Sequence, residues 1–152
     1  MPDKARRPAA GTVLAFDFGL HRIGVAVGEP ELGTAHALPA LVALTQPGRM
    51  TAIERLLKEW SPSLLVVGRP LGDDRAPHEM TRRAERFARQ LGGRFGLPVR
   101  LVDESYSSVE AESRVRAAYG RRRAAELARG KALDSQAAQI LLEQYFNDKQ
   151  AA

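Results

Sequence analysis

Cysteine is absent from the 152-residue sequence, so disulfide bonds and thiolate metal ligands are excluded. Apolar runs are short, and none approaches the roughly 20 residues that a membrane-spanning helix needs. The first eleven residues are charged and rich in proline and alanine, which is not typical of a signal peptide. Lysine is also scarce, because only four of the 23 basic residues are lysines and the rest are arginines. The lack of cysteine, of a long apolar run and of a signal peptide together predict a cytoplasmic protein that makes no contact with a membrane.

The remaining composition is that of an ordinary globular domain. Hydrophobic residues make up 44% of the chain, which is enough for one core. We therefore expect a disordered leader at residues 1–11 and a single domain at residues 12–148. The net charge of +5 is concentrated between Ser113 and Lys131, where it reaches +6. Such a basic segment attracts phosphate backbones, although a solvated helix face in an arginine-rich chain has the same composition.

An apolar run near the N-terminus contains one acid. Val13–Phe18 predicts a strand that is buried on both faces, and Asp17 lies inside it. A carboxylate at such a position is costly unless a metal ion or a polar partner holds it. A short turn leads to a second predicted strand at Arg22–Gly28, and a third lies within Thr34–Leu44. These three strands are expected to form an antiparallel meander.

Helices and strands then alternate along the chain. The predicted elements are helix Arg49–Trp60, strand Leu64–Val67, helix Pro77–Phe95, strand Val99–Val102, helix Ser107–Tyr119 and a final helix Asp134–Phe146. The third strand is expected to be ended by residues 46–48, where proline and glycine occur together. This order predicts an α/β domain with a five-stranded mixed sheet, which is the element order of a ribonuclease H-like fold. That fold places the ends of strands one and five near the start of the last helix.

Three acids occupy those positions, namely Asp17, Glu104 and Asp134. Carboxylates without thiolates or a histidine set are typical of sites for hard cations such as Mg²⁺ or Mn²⁺. Two such ions about 4 Å apart can hold a phosphodiester between the attacking water and the leaving oxygen. Each acid also has a structural interpretation. Asp17 could be a hydrogen-bonded core acid, Glu104 an ion-pair partner of an arginine, and Asp134 a helix N-cap.

Four segments resemble the YqgF/RuvX family, relatives of the RuvC resolvases within the ribonuclease H-like superfamily. They are FDFGLHRIGVAV at 16–27, LLVVGRPLG at 64–72, RFGLPVRLVDES at 94–105 and GKALDSQAAQILL at 130–142. The resemblance implies that Asp17, Glu104 and Asp134 are the catalytic, metal-binding acids. It also implies a nuclease dependent on Mg²⁺ or Mn²⁺ that processes the 5′ end of pre-16S rRNA in ribosome biogenesis.

Basic residues near these acids are candidates for binding nucleic acid. They are Arg22, Arg69, Arg121, Arg122, Arg123 and Lys131. Arg22 could instead support the acids, since it lies close to Asp17 in sequence. The chain departs from the family pattern in having His21 where a basic residue is usual and Ser105 where an arginine usually follows the Asp-Glu pair. The first turn of the last helix also offers no fourth acid, since Ala137 and Ala138 lie there.

Other functions remain open on the sequence alone. The same chemistry could act on branched DNA, as in a Holliday-junction resolvase, because a basic surface reads phosphate rather than base. The chain could be a non-catalytic RNA-binding factor for ribosome assembly. A phosphate-loop ATPase of the actin and sugar-kinase type also has Asp-Phe-Gly-like loops, but it needs two such domains and this chain supplies one.

Overall fold

A computed structural model describes residues 11–42, 45–71, 77–103 and 131–151, with side chains from 135 to 148 in the last range. These residues form five strands and three helices, numbered in chain order. The elements are β1 (Val13–Asp17), β2 (Arg22–Glu29), β3 (Thr34–Val42), α1 (Gln46–Trp60), β4 (Leu64–Arg69), α2 (Glu79–Phe95), β5 (Val99–Asp103) and α3 (Lys131–Ala151). The predicted leader through residue 10 and the predicted helix at 107–119 lie outside the described residues.

The strands form one mixed sheet in the order β3-β2-β1-β4-β5. β1 lies at its centre, antiparallel to β2 and parallel to β4. β2 and β3 are antiparallel, whereas β4 and β5 are parallel. The predicted meander followed by parallel crossovers is therefore confirmed. β1 is apolar because its central position buries it, and Val13 to Phe16 are at most 1% exposed.

Helices cover the two faces of the sheet separately. The first core lies between the sheet and the pair α1 and α2, and includes Leu14, Phe16, Ile53, Phe87 and Leu91. The second core lies between the sheet and α3, and includes Val13, Ala15, Leu141, Leu142 and Phe146. Consecutive residues of β1 thus alternate between the two layers, as the pleat of a strand requires. No helix in the described ranges is long and apolar enough to cross a bilayer.

Helix α1 begins earlier than the sequence predicts, at Gln46 instead of Arg49. The side chain of Thr45 caps it by accepting a hydrogen bond of 3.0 Å from the Gly48 amide. Pro47 then lies in the first turn, where its fixed φ suits a helix and its missing N–H is not needed. The third strand ends before residues 46–48, as expected, but the predicted start at Arg49 is wrong because the proline and glycine belong to the first turn of the helix.

Helix α2 begins at Glu79, two residues later than predicted, and ends where expected. The His78 amide donates a hydrogen bond of 2.9 Å to the hydroxyl of Thr81, which is fully buried and in turn donates to the Pro70 carbonyl. This pair of bonds joins the start of α2 to the chain that leaves β4. Gly96 ends the helix with a left-handed φ of 69°.

Strand β3 contains a bulge. Ile23 pairs with Leu41 and Val25 pairs with Leu38, so the two residues Pro39 and Ala40 stand opposite one residue of β2. Proline cannot donate to a sheet ladder, and a bulge on an outer strand tolerates it.

Candidate active site

Asp17 is the last residue of the central strand β1 and pairs with Gly24 of β2. It is partly buried, whereas the four residues before it in β1 are buried. Alternation along β1 assigns its side chain to the layer of α3, because Val13 and Ala15 belong to that core. The acid predicted within a buried strand therefore lies at the strand's carboxyl end, on the α3 side of the sheet.

Strand β5 ends at the same edge of the sheet. Phe16 of β1 pairs with Val67 of β4, and the next residue of β4, Gly68, pairs with Val102 of β5. Asp17 and Val102 are therefore level with each other and separated by β4 alone, which is about 10 Å at ordinary strand spacing. Val102 packs against the core beneath α3. Glu104 follows two positions later but lies outside the described residues.

Asp103 lies on the other side of the sheet, where it binds Arg69. The Arg69 Nε donates to Asp103 Oδ1 at 2.8 Å, and its Nη1 donates to Glu85 Oε2 of α2 at 3.1 Å. The bond to Asp103, followed by the bond to Glu85, raises the pKa of Arg69 above its ordinary value. Of the adjacent pair at 103 and 104, the first acid is therefore committed to a structural network.

This network was not visible in the sequence. Its two bonds join residues that are 34 and 16 positions apart. The bond to Asp103 depends on the parallel register of β4 and β5, and the bond to Glu85 depends on the packing of α2 against the sheet. Arg69 was predicted to contact phosphate, and this remains a prediction. The structure adds that both of its bonded nitrogens already face carboxylates, which offset its charge.

The start of α3 flanks Asp17 on the opposite side from β5. The hydroxyl of Ser135, which is 2% exposed, donates to the Leu38 carbonyl of β3. Leu38 pairs with Val25, the neighbour of the residue that pairs with Asp17. The bond therefore fixes the first turn of α3 above β3, at nearly the level of Asp17.

Asp134 belongs to that first turn, because α3 begins at Lys131 rather than at Asp134. A residue inside the helix is not its N-cap, so the capping interpretation of Asp134 is wrong. The side chains of Lys131 and Asp134 are outside the description. So are the whole residues Arg121, Arg122 and Arg123. Among the side chains that are described, no three acids or histidines come together as a metal site.

The turn between β1 and β2 brings its own backbone against Gly19. A Cβ on Gly19 would lie 2.6 Å from the Arg22 carbonyl oxygen, so only glycine fits there. Arg22 begins β2 and is partly buried, and His21 before it is exposed. The glycine thus keeps the turn tight directly after the acid.

Comparison with known proteins agrees with this arrangement. Residues 11–148 match the model of the RuvX family, which is described as Holliday junction resolvase. A relative from Burkholderia vietnamiensis, named "Putative pre-16S rRNA nuclease", is 50% identical over 137 residues, which are 90% of this chain and 89% of the relative. A relative of the same name from Nitrosospira multiformis is 46% identical over 149 residues, covering 98% of this chain and 96% of its own.

Two solved structures share the fold at low identity. T. thermophilus RuvC in complex with Holliday junction substrate has a TM-score of 0.52 and 17% identity, covering 92% of this chain and 96% of that one. The fowlpox virus Holliday junction resolvase has a TM-score of 0.55 and 13% identity, covering 91% and 99%. The predicted ribonuclease H-like fold is thereby confirmed. The match along residues 11–148 and the identity to these relatives establish that the chain belongs to the RuvX family.

Proposed function

We propose that this chain is an endonuclease that hydrolyses phosphodiester bonds with the help of Mg²⁺ or Mn²⁺. The observation that supports this most is the place of Asp17, at the carboxyl end of the central strand and on the α3 side. The end of β5 and the first turn of α3 flank it on either side. The family match and the name that the two relatives bear support the same activity.

Asp17, Glu104 and Asp134 are proposed as the catalytic acids and as the ligands of the metal. Their carboxylate oxygens are the donors that hard divalent cations prefer, so the residue types fit such an ion. When bound, a divalent ion supplies charge neutralisation at the phosphate and a more acidic water. Asp17 contributes a carboxylate from the central strand of the sheet, which is paired on both sides. This rigid position keeps the carboxylate fixed during the reaction.

The proposed substrate is the 5′ end of pre-16S rRNA in the cytoplasm, bound by residues 12–148 as a single domain. Support comes from the name of the relatives and from the local excess of arginine before α3. Arg22, Arg121, Arg122, Arg123 and Lys131 are proposed to contact phosphates, which fixes the strand without reading its sequence. Arg69 retains this role only if nucleic acid displaces one of its carboxylate partners.

Branched DNA is the second candidate substrate, because the family is described as Holliday junction resolvase. Phosphate contacts do not separate RNA from DNA, so both substrates belong in one assay. Precursor rRNA is expected to be cut faster than a four-way DNA junction. Faster cleavage of the DNA junction than of the precursor rRNA would instead identify branched DNA as the substrate.

The Asp17→Asn variant tests the acid directly, with Asp148→Asn as its matched control. Asp148 is an exposed acid near the other end of α3, so the control makes the same chemical change away from the site. Asp17→Asn is expected to lower Mg²⁺- or Mn²⁺-dependent cleavage at least about 100-fold while RNA binding is kept or strengthened. Asp148→Asn should cleave like the wild type.

Two results would contradict the proposal. Full cleavage by Asp17→Asn would remove Asp17 from the mechanism. Salt-sensitive RNA binding by the wild type with no cleavage in either metal would instead indicate a non-catalytic RNA-binding protein.

A further inference from the structure

A cavity of about 140 Å³ opens on the α1 and α2 side of the sheet, next to the end of β1 at Asp17. Phe18, the residue after Asp17, lines it together with Phe87 of α2, and the two ring centroids are 5.0 Å apart. Neighbouring residues of an extended chain face opposite sides of the sheet. Asp17 therefore lies on the α3 side and Phe18, the next residue, on the α1 and α2 side. The volume exceeds that of several waters at about 30 Å³ each, so a small polar group fits.

The polar lining of this cavity consists of hydrogen-bond donors. Its described polar residues include no carboxylate and are Gln46 and Arg49 of α1 with Arg83, Arg86 and Gln90 of α2. We call these residues with Phe18 and Phe87 the arginine pocket. The first turn of α1 contributes two of them, and a helix N-terminus adds a partial positive charge. A lining of this kind favours an anion.

Arg49 is the most constrained member of the arginine pocket. Its guanidinium carbon lies 5.3 Å from the centroid of the Phe18 ring. Its Nε is buried and has no hydrogen-bond partner among the described residues. A buried donor left unpaired is costly and rare in folded proteins, so an acceptor is expected to reach it in the functional state.

The charges of the other two arginines in the pocket, Arg83 and Arg86, are little neutralised by neighbouring carboxylates. Arg83 bonds Glu79 at 3.0 Å, but both side chains are about half exposed or more, so water screens this pair. Arg86 is exposed and has no ion-pair partner within the described part of the chain. Guanidinium groups bind the paired oxygens of phosphate or carboxylate with two parallel hydrogen bonds, and phosphate is the anion that the proposed substrate carries.

We propose that the arginine pocket binds a backbone phosphate of the nucleic-acid strand that the acidic site cleaves. The inference rests on the proposed nuclease function and adds a second phosphate contact on the opposite face of the sheet. A strand crossing the edge at Asp17 and Phe18 would meet the acids on one side and the arginines on the other. Such a contact sets the position of the strand and is indifferent to its sequence.

Binding of a fluorescein-labelled RNA stem-loop in EDTA tests the arginine pocket without cleavage. The key variant is Arg86→Gln, and Arg82→Gln is its matched control. Both are exposed arginines of α2, and Arg82 lies outside the pocket. Arg86→Gln is expected to weaken binding about tenfold and to reduce the slope of log affinity against log salt by about 0.7–0.9. Arg82→Gln should leave both nearly unchanged.

A second variant, Arg49→Gln, tests whether the loss of binding extends to another arginine of the pocket. It should weaken binding in the same way while its thermal unfolding confirms that the chain remains folded. Equal affinities and salt slopes for Arg86→Gln and Arg82→Gln, with wild-type binding intact, would overturn the arginine pocket alone. Failure of the wild type to bind RNA at any salt concentration would overturn the proposed function as well.

Discussion

The network around Arg69 makes the most quantitative prediction, because two roles for this residue lead to opposite results. Arg69→Met keeps the apolar stem and removes both bonds, at 2.8 Å to Asp103 and 3.1 Å to Glu85. The Arg69 side chain is 33% exposed and its partners are 41% and 29% exposed, so solvent screening applies to both pairs. Screened pairs contribute about 0.2–1 kcal/mol each, so the loss of both gives about 0.4–2 kcal/mol.

Thermal and urea unfolding measure that loss. For a chain of this length, about 0.4–2 kcal/mol corresponds to a fall in Tm of about 1–8 °C. Arg100→Met is the matched control, since Arg100 is an exposed arginine of β5 that faces the other layer. A double-mutant cycle with Asp103→Asn should give a coupling free energy of about 0.5–1 kcal/mol. Additive effects of the two substitutions would refute the reasoning.

Cleavage kinetics then decide what the network does. If Arg69 positions the end of β5, both Arg69→Met and Asp103→Asn lower kcat while RNA affinity stays the same. If Arg69 contacts phosphate, Arg69→Met alone weakens binding and flattens its salt dependence, and Asp103→Asn leaves Arg69 freer to bind. We expect the first pattern, because the carboxylates already occupy the Nε and Nη1 donors.

The pH dependence of the Arg69 network follows from its raised pKa. A group whose pKa is higher in the folded chain stabilises it fully below its unfolded pKa, and this stabilisation is lost only as the pH rises through the still higher pKa of the folded chain. The difference in unfolding free energy between wild type and Arg69→Met should therefore be the same at about pH 7 and about pH 10. A smaller difference at the higher pH would contradict this.

Two glycine substitutions test the packing. Gly28→Ala would place a Cβ 2.6 Å from the Thr34 carbonyl oxygen and close to α3, so we expect a loss of about 1–3 kcal/mol in urea unfolding. Gly93→Ala in α2 meets nothing within 4 Å and should gain about 0.5–1 kcal/mol, and equal effects of the two would count against the packing argument. Gly19→Ala must open the turn against Arg22, so it should reduce kcat more than stability, whereas unchanged cleavage would show that the turn does not position Asp17.

The sequence predicted the parts of the fold that depend on local pattern. Apolar runs located all five strands, and helical stripes such as that of Phe87 and Leu91 located α2. The start of α1 was predicted three residues too late. Pro47 and Gly48 suit the end of a strand as well as a capped first turn, and the bond that the Gly48 amide donates to Thr45 places them in the helix.

Contacts between distant segments were beyond sequence reasoning. Nothing local indicates that Asp103 rather than Glu104 binds an arginine, because the choice depends on which face each side chain meets. Parity along β5 assigns Asp103 to the α2 side once the register with β4 is known. The arginine pocket was missed for the same reason, since Arg49 and Arg86 come together only when α1 and α2 pack on one face.

The bulge in β3 has a consequence for how molecules of this protein meet in solution. In the described part of the chain β3 is an outer strand of nine residues, with one edge unpaired. A straight edge of that length would be a template for strand addition by a second copy, and hence for aggregation. Pro39 has no amide hydrogen to donate to an added strand, and the extra residue beside it breaks the register that a copy would need. The bulge thus helps to keep separate copies of the chain from pairing through this strand.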